Sequence, residues 1–450
     1  MNALSSLSFQ RQIPVRHDVD VFVAGGGPAG CAAAVMAARQ GCAVFLAEGH
    51  SCFGGMGTAG LIPAFMQFGD GVNFLAAGFG EELLDRLIAS GGTAKPRDAA
   101  ARTGGHCIGA EALKRVYDDL LTAAKVEFSF YTNLIAVETV DRRVTTAILA
   151  AKSGLFAVRA KVFIDATGDG DLAAWAGAPF EKGDANGDMM PGTLCSLWAD
   201  IDWDGVARDE PRVAANHYVA QAFKEGVFTY CDKHVPGIWR VGKHLGGGNI
   251  GHTFGVDSTD ERSLTQALLW GRKLVLEFER YYKEYHKGRY AQMELAGTGS
   301  LLGVRESRRI MGDYVLCLDD FKKRASFADE IGRYAYPVDI HVSRPNDEVE
   351  YKRFEKEFQE LRYKTGESYG VPYRCLVPRD LTNVLVAGRC LSADRFLQGS
   401  IRVMPGCFIT GQAAGIAAAL ACVHNADTRQ VGVAELQKRL RAVGAYLPGV

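Results

Sequence analysis

The opening glycine motif restricts the fold of this chain more than any other part of its sequence. The segment "VDVFVAG" is short, β-branched and apolar on both faces, which is typical of a buried parallel strand. Gly25, Gly27 and Gly30 follow in the pattern G-x-G-x-x-G, and the alanine-rich segment after them has high helix propensity. The next predicted strand, "CAVFLAE", ends at Glu48. This order predicts a βαβ unit that binds a dinucleotide.

Each part of this unit has a physical role in holding a dinucleotide. The first glycine permits a tight turn, the second lets the backbone approach a pyrophosphate, and the third lets the helix pack against the strand. Pro28 and Ala29 are also candidate cofactor contacts, because the predicted helix begins at Ala29 and its positive end faces the phosphates. Glu48 lies 18 residues after Gly30, where a carboxylate can accept a hydrogen bond from a ribose hydroxyl. The unit alone fits NAD as well as FAD, and a glycine-rich turn without a ligand is the other alternative.

Three later segments favour FAD, because the flavin end of that longer cofactor is held by parts of the chain that are distant in sequence. The first, "GHSCFGGMGTAG", is glycine-rich and lacks the Cys-x4-Cys of disulfide reductases. In the second, "KVFIDATGDGD", a strand runs into a turn before a helix, and an ordinary strand-to-helix turn is the alternative. The third joins "NVLVAGR" to "MPGCFITGQAAG", whose helix N-terminus is expected to point at the flavin N1–C2=O edge. The candidate cofactor contacts in these segments, together with one leucine expected near the adenine, are Gly54, Gly55, Met56, Thr167, Gly168, Asp169, Gly388, Arg389, Gly411 and Leu134.

Composition argues against several classes of protein. Of the 450 residues, 48% are hydrophobic and 23% are charged, so a large packed core is expected. Lys and Arg number 51 against 52 Asp and Glu, with no basic run, which argues against a nucleic-acid partner. The eleven cysteines show no CxxC pair and no His/Cys cluster at metal-ligand spacing, so we expect no metal and reduced thiols in the cytoplasm. The longest apolar run, near "GIAAALACV", is shorter than a membrane span, and we expect no membrane partner.

The predicted fold class is α/β: a Rossmann-like, three-layer (ββα) domain for FAD or NAD(P), with an inserted α+β substrate or cap domain. We expect the FAD domain to be discontinuous, over residues 15–65, 105–180 and 370–450. Residues 181–345 are expected to form the substrate or cap domain, and residues 346–369 an exposed surface helix that connects the two. In the cap, "TLCSLWADID" and "IWRVG" predict strands of a sheet over the flavin, and "SLTQALLWGRKLVLEFERYYKEY" predicts a long helix.

With these motifs in this order, the chain resembles the FAD-dependent oxidoreductase family of bacterial flavoproteins related to the succinate dehydrogenase and fumarate reductase flavoprotein group. The resemblance covers nearly the whole chain and is carried, among other segments, by "GGGPAGCAAAVMAARQG", "FGGMGTAGLI", "LGVRESRRIMGDYVL" and "SIRVMPGCFITGQAAG". It implies FAD as the cofactor and a two-dinucleotide-binding fold, and it leaves the substrate open. The chain departs from the family after "AGRCLSA", where members commonly carry Thr-His and this chain has Asp394 and Arg395.

Flavin chemistry places a substrate bond against N5 and requires a group that moves a proton. Our first candidate is His341 in "YPVDIH", which would share a strand face with Asp339. The second is His252, with Asn249 as a substrate contact, in the glycine-rich "GGGNIGH", which we expect to be a flexible substrate loop. His106 is the third candidate, and a structural histidine is the alternative for each.

Arginines are the second group of candidates, as anchors for a substrate carboxylate through bidentate contact. Arg305, Arg308 and Arg309 lie in "GVRESRRIMGDY", and a helix there would put the first and the third on one face. The alternative is a buried ion-pair knot that joins the two domains. Arg402 before "MPGC", and Arg395 in place of the usual histidine, are candidate substrate contacts.

These features predict an FAD-dependent dehydrogenase or reductase. It would move a hydride between flavin N5 and a small polar substrate, carboxylate-like or sugar-like, with an electron acceptor or donor outside this chain. The alternatives are a flavin-dependent monooxygenase or halogenase, and a flavin-bound electron-transfer or structural subunit. Covalent attachment of FAD, for which Cys52, Cys390 and His106 are conceivable points, and a homo-oligomeric state are left open.

Overall fold

A computed structural model gives the fold of the chain. It describes residues 7–93, 105–204, 213–345, 349, 352–354, 356–357 and 361–448. Within those residues the strands are β1 (Val15–Ala24), β2 (Val44–Ala47), β3 (Ala64–Phe65), β4 (His106–Cys107), β5 (Glu127–Ser129), β6 (Asn133–Val140), β7 (Arg143–Ala151), β8 (Gly154–Asp165), β9 (Phe180–Glu181), β10 (Ser196–Ala199), β11 (Gly237–Arg240), β12 (Gly246–Asn249), β13 (Glu294–Thr298), β14 (Arg309–Ile310), β15 (Glu330–Tyr334), β16 (Tyr369–Pro372) and β17 (Val384–Val386). The helices of the same residues are α1 (Pro28–Arg39), α2 (Phe79–Ala89), α3 (Ala110–Ala123), α4 (Asp171–Trp175), α5 (Val219–Lys224), α6 (Glu261–Tyr281), α7 (Leu318–Lys323), α8 (Arg395–Ile401), α9 (Met404–His424) and α10 (Val433–Ala442).

The largest sheet has seven strands, in the order β5-β2-β1-β8-β7-β6, with β17 also paired to β8. Strand β1 lies parallel to both β2 and β8, as the βαβ motif predicts, and β17 is parallel to β8. Strand β7 runs antiparallel to β6 and β8, which makes a meander. The 12-residue β8 pairs with β7 near its start and with β17 at its end. The Rossmann-like α/β fold class predicted from the sequence is confirmed.

Helices α1 and α9 cross at a distance that only small residues permit. A Cβ on Gly411 would lie 2.2 Å from the Ala29 carbonyl oxygen, and a Cβ on Gly415 would lie 2.2 Å from the Ala33 carbonyl oxygen. A carbon atom cannot approach an oxygen so closely, so no side chain fits at either glycine. Packing therefore accounts for Gly411, which the sequence analysis placed among the cofactor contacts.

Helix α9 is long and apolar enough to cross a membrane by length and composition, but 89% of its most apolar 18-residue window is buried inside the protein. It spans 21 residues, so the apolar segment is longer than the sequence analysis indicated. Its alanines, such as Ala413, Ala417 and Ala418, are fully buried. Its position in the core accounts for its composition.

A second sheet is antiparallel and has the order β11-β12-β10-β13. Residues of this sheet and of α6 share a separate core, in which Trp198, Phe278, Tyr281 and Tyr282 are buried. Strands β10 and β11 and helix α6 lie where the sequence predicts them. The expectation of a flexible loop at "GGGN" is wrong, because these residues form β12, with β10 and β11 on either side.

The division of the chain into domains stays a prediction. The main core also contains residues of α2 and of the segment 310–338, which lie outside the ranges expected for the FAD domain. Of residues 346–369, where the sequence predicts a surface helix, residues 349, 352–354 and 356–357 are helical, residues 361–368 are not, and Tyr369 begins β16. The other residues of this range lie outside the described residues.

Two conditional expectations about shared faces are not met. Arg305 lies in an irregular segment and Arg309 begins β14, so no helix in "GVRESRRI" places the two arginines on one face. The backbone of this segment pairs with distant strands instead: Gly303 and Thr193 exchange hydrogen bonds, and β14 pairs with β9. His341 lies in irregular chain beyond the end of β15, and not in a strand.

Asp165 ends β8 and is fully buried where the chain turns toward α4. One carboxylate oxygen accepts hydrogen bonds from the Thr167 amide (3.1 Å) and hydroxyl (2.8 Å), and the other accepts from the Ala173 amide (2.8 Å). Burial outweighs these three bonds and raises the pKa of Asp165 to about 6. The folded protein therefore binds a proton here at a pH where the unfolded chain has released it.

We expect the free energy of unfolding of the wild type, relative to Asp165→Asn, to fall by about 2 to 3 kcal/mol between pH 4 and pH 7. The folded pKa lies above the ordinary value of 3.8, so the protonated carboxyl stabilises the fold fully only below that value. The stabilisation is lost as the pH rises through about 6. Urea unfolding of both proteins across this pH range measures the difference between their free energies of unfolding. The contributions of the other titrating groups are common to both proteins and cancel in this difference. A difference that stays constant or grows with pH would contradict a raised pKa of Asp165 in the folded protein.

We expect Gly411→Ala to lower the free energy of unfolding by about 1 to 3 kcal/mol, because the new methyl group forces α1 and α9 apart. Helix propensity alone would change stability in the opposite direction, by about 1 kcal/mol in favour of alanine. The matched control is Val423→Ala, at an exposed position in the last turn of the same helix. Thermal or urea unfolding distinguishes the two effects, and a Gly411→Ala protein as stable as the wild type would show that the crossing is looser than described.

Candidate active site

The turn between β1 and α1 leaves an open space at the start of the helix. Gly25 has a φ of 94°, and a Cβ there would lie 2.6 Å from the Ala166 carbonyl oxygen. A Cβ on Gly30 would lie 1.8 Å from the Gly25 carbonyl oxygen, so the helix approaches the turn closely. Apart from its two chain neighbours, no described residue comes within 4 Å of the Cβ position of Gly27, which precedes α1. The positive end of the helix therefore faces space that a pyrophosphate can enter.

Glu48 is buried beside this turn, directly after β2. Its Oε2 accepts a hydrogen bond from the Gly26 amide at 2.7 Å, and its Oε1 accepts one from the His50 amide at 2.8 Å. A carboxylate has about four acceptor positions, so Glu48 retains capacity for ribose hydroxyls.

Leu134, the expected adenine contact, lies near the same end of β2. It is half-buried in β6, and the side chain of its neighbour Asn133 would lie 2.4 Å from a Cβ on Gly49. The start of β6 therefore adjoins the position where Glu48 would hold the ribose.

The loop at residues 54–57, which includes Met56, connects this space with the start of α9. A Cβ on Gly55 would lie 3.3 Å from the Gly27 Cα. At the other end of the loop, a Cβ on Gly57 would lie 2.9 Å from the Met404 sulfur, in the first turn of α9. The glycines let the loop run between the two helix N-termini.

Arg389 joins the two remaining cofactor segments. Its Nε donates to the Gly168 carbonyl at 2.9 Å, and its guanidinium forms an ion pair with Asp169 at 2.8 Å. A Cβ on its neighbour Gly388 would lie 2.9 Å from the Cβ of Ala29 in α1. All three segments that the sequence assigned to FAD therefore meet around the first turn of α1.

These elements fit the requirements of FAD. A dinucleotide with a flavin requires a helix start open to the pyrophosphate, a carboxylate for the ribose, and segments distant in sequence for the flavin. The open position at Gly27, the carboxylate of Glu48 and the loop at residues 54–57 supply them in one continuous set of contacts.

The candidates for covalent attachment are all buried. Burial raises the pKa of the Cys390 thiol well above its usual value, which disfavours the reactive thiolate. Cys52 is buried below the glycine loop, and His106 packs against Phe68 in the main core. Attachment at any of them stays a prediction.

The second sheet and the residues after it lie against the chain that follows the glycine loop at residues 54–57. The Ser300 amide donates a hydrogen bond to the Ala59 carbonyl at 2.8 Å. A Cβ on Gly247 in β12 would lie 2.4 Å from the Cβ of Pro63. The glycines of β12 therefore permit a close approach between the sheet and the loop, and Asn249 lies at the end of this strand.

Three of the candidate arginines are committed to ion pairs. Arg308 contacts Asp171 at 2.7 Å. The buried carboxylate of Glu306 lies 2.7 Å from Arg309 and 3.0 Å from Arg395. Arg309 and Arg395 therefore share a buried carboxylate, and Arg308 forms a half-buried ion pair. That these pairs join two domains stays a prediction.

Arg305 is different, because its guanidinium is buried among neutral groups. It donates to the Pro191 carbonyl and the Thr193 hydroxyl, each at 2.9 Å, and reaches the Asn249 side-chain oxygen at 3.5 Å. No described residue forms an ion pair with it. Burial, followed by repulsion from Arg402, lowers the pKa of Arg305 to about 10. The site therefore holds a buried cation that a bound anion can neutralise.

His252 and His341, the first two catalytic candidates, are brought together although they lie in different loops. His252 Nε2 lies 3.0 Å from His341 Nδ1. The outer nitrogens face carboxylates: His252 Nδ1 lies 2.9 Å from Asp232, and His341 Nε2 lies 3.3 Å from Asp339. The two imidazoles therefore form a buried chain between two aspartates.

A third histidine, His234, completes this group, and the sequence analysis missed it. Its ring centroid lies 4.2 Å from that of His341 and 5.4 Å from that of His252. Burial is the first cause that lowers the pKa of His234, to about 4, and the pKa of His341 well below its usual value. Arg402, a predicted substrate contact, pairs with Asp339 at 2.9 Å. The only local sequence signal for His234 was its spacing from Asp232 in "CDKH".

Comparisons with known proteins agree with this cofactor assignment. The model of the family described as FAD dependent oxidoreductase matches residues 20–440. A search of curated proteins finds no match to the sequence.

Solved structures that the chain matches include a geranylgeranyl bacteriochlorophyll reductase-like protein from Thermoplasma acidophilum, with 12% identity, coverage of 95% of this chain and 83% of that chain, and a TM-score of 0.45. The flavin-dependent brominase Bmp2 has 12% identity, 94% and 83% coverage, and a TM-score of 0.46. The p-nitrophenol 4-monooxygenase PnpA from Pseudomonas putida DLL-E4 has 12% identity, 95% and 84% coverage, and a TM-score of 0.45. Similarity at this level carries no information about the reaction.

The glycine turn, the ribose carboxylate and the later segments meet in one cofactor site, and the family model covers the same residues. The chain belongs to the FAD dependent oxidoreductase family, and its cofactor is FAD.

Proposed function

We propose that this protein transfers a hydride between flavin N5 and a small organic substrate that carries a carboxylate. The observation that carries the proposal is Arg305, a buried guanidinium whose hydrogen-bond partners are all neutral. Taking a charge out of water without a counter-charge is costly, and a bound carboxylate would remove this cost.

The other candidate arginines support this choice by contrast. Arg395 already holds Glu306, and Arg402 already holds Asp339. A substrate carboxylate would have to displace these partners, whereas at Arg305 it would form an ion pair where the protein provides none among the described residues.

Bound FAD supplies a two-electron hydride acceptor or donor at N5. Arg305 would bind the substrate carboxylate and fix its orientation, with the Asn249 side chain as a second polar contact. The contact of 3.5 Å between these two residues is at the limit of a hydrogen bond, so a carboxylate oxygen can replace it without a large loss. Holding the substrate in one orientation toward the flavin is itself a large part of catalysis.

Several finer predictions from the sequence are separate from this proposal. The catalytic assignment of His341 and His252, the relation to the succinate dehydrogenase and fumarate reductase group, the cytoplasmic location and a homo-oligomeric state stay predictions. The dehydrogenase or reductase direction belongs to the proposal as well.

We expect small hydroxy acids or unsaturated acids to reduce the bound flavin, or to reoxidise it after photoreduction, whereas their neutral amides do not. Arg305→Gln should weaken the response to the active acid by about 10- to 100-fold, which corresponds to the loss of a charge-assisted hydrogen bond. Anaerobic titration followed by the visible flavin absorbance measures both effects, with FAD content recorded for every protein.

The matched control for this test is Arg240→Gln. Arg240 lies in β11 of the second sheet, and its exposed side chain pairs with Asp204. Equal responses to the acids and to their amides, or an Arg305→Gln protein that responds like the wild type, would contradict a carboxylate substrate. Consumption of oxygen with NADPH and a hydroxylated or halogenated product would favour the monooxygenase or halogenase alternative.

A further inference from the structure

The three histidines converge on one point from separate parts of the chain. His234, His252 and His341 each offer a ring nitrogen, and these nitrogens all lie within 4.8 Å of one another. His252 and His341 are buried, and His234 is half-buried. The histidines are separated by 18 and 89 residues, so their convergence is a product of the tertiary structure alone.

Carboxylates lie close to the outer nitrogens of two of the rings. Asp232 lies 2.9 Å from Nδ1 of His252, and Asp339 lies 3.3 Å from Nε2 of His341, while the opposite nitrogens of these rings face each other. A carboxylate that holds the outer N–H of a histidine is the usual outer partner of a metal ligand, because it fixes both the tautomer and the ring orientation.

The carboxylates are themselves fixed. Asp232 accepts a hydrogen bond from the His234 amide at 3.0 Å, and Asp339 accepts one from Arg402 at 2.9 Å. Asp339 balances the charge of Arg402, and the negative charge of Asp232 remains to offset part of the charge of a bound cation.

A proton relay between His252 and His341 explains less of this arrangement. Such a relay needs one hydrogen bond between two rings, and the distance of 3.0 Å between Nε2 and Nδ1 would allow it. It does not require the third ring, whose centroid lies 4.2 Å from that of His341. A separation near 3 Å also fits two nitrogens that are bound at a right angle to one metal, each at about 2.1 Å.

We propose that His234, His252 and His341 bind a divalent transition metal ion through three imidazole nitrogens. Three neutral imidazoles suit ions such as zinc, iron, cobalt or nickel, and they do not suit magnesium or calcium, which prefer oxygen ligands. Three protein ligands leave a coordination position open, as in catalytic rather than structural sites. As ligands, His252 and His341 would not carry protons themselves. The metal site does not depend on the proposed hydride transfer.

The test measures metal binding directly on the FAD-loaded protein. After removal of metal by a chelator, titration calorimetry with Zn²⁺ and Co²⁺ should show one site per chain, and Mg²⁺ should show none at the same concentrations. Elemental analysis of the dialysed protein gives the stoichiometry independently. Zn²⁺ should also raise the unfolding temperature of the wild type, because it binds the folded state.

The variants distinguish the three proposed metal ligands from the carboxylate that lies beside one of them. We expect His234→Gln, His252→Gln and His341→Gln each to lower Zn²⁺ affinity by at least about 100-fold, and Asp232→Asn to lower it by about 10- to 100-fold, the usual effect of losing an outer partner. His244→Gln, an exposed histidine next to β12, is the matched control and should bind like the wild type. FAD content and far-UV circular dichroism identify any variant that fails to fold.

The wild-type measurements keep the proposal falsifiable even if a variant does not fold. A wild-type protein that binds less than one Zn²⁺ per chain, or whose unfolding temperature does not respond to Zn²⁺ or Co²⁺, overturns it. Folded histidine variants that retain the wild-type affinity overturn it as well, since the ion would then lie elsewhere. None of these readouts requires a known substrate.

Discussion

The close crossing of α1 and α9 is the constraint on which the cofactor site depends. Ala29 faces Gly411 and Ala33 faces Gly415, so the two helices run in the same direction. Their positive N-terminal ends therefore lie on the same side of the crossing, one at the glycine turn and the other at Met404. A larger residue at either glycine would separate the helices and change the position of both ends. The site for a long, negatively charged cofactor is thus a consequence of helix packing.

The buried charges of this protein fall into two groups, and their partners distinguish structure from function. Glu306 neutralises Arg309 and Arg395 within the packed interior, as expected of groups that hold segments together. Arg305 is equally buried, yet its partners are carbonyl, hydroxyl and amide oxygens. The histidine group has the opposite arrangement, since Asp232 places a negative charge 2.9 Å from the imidazole of His252.

Sequence reasoning succeeded where the structure is determined by neighbours along the chain. The βαβ unit, the strand leading to Asp165 and the long helix α6 all follow from local periodicity and turn residues. It failed where the backbone pairs with distant partners. The segment at Arg305 is irregular because Gly303 bonds to Thr193, and the glycines before Asn249 form a strand because β10 and β11 flank them. Neither partner could be identified from the residues nearby.

The sequence by itself determined the fold class and a dinucleotide-binding unit, because the strand, turn, helix and second strand that form this unit are contiguous and lead to Glu48. The choice of FAD came from three glycine-containing segments farther along the chain, each recognisable from its own local pattern. Only the tertiary structure decided which arginine lacks a counter-charge, and that His234, His252 and His341 face one point. Charge pairing and ligand convergence depend on distances in space between segments that are far apart in the chain. Spacing along a sequence does not encode these distances until the sheets have packed.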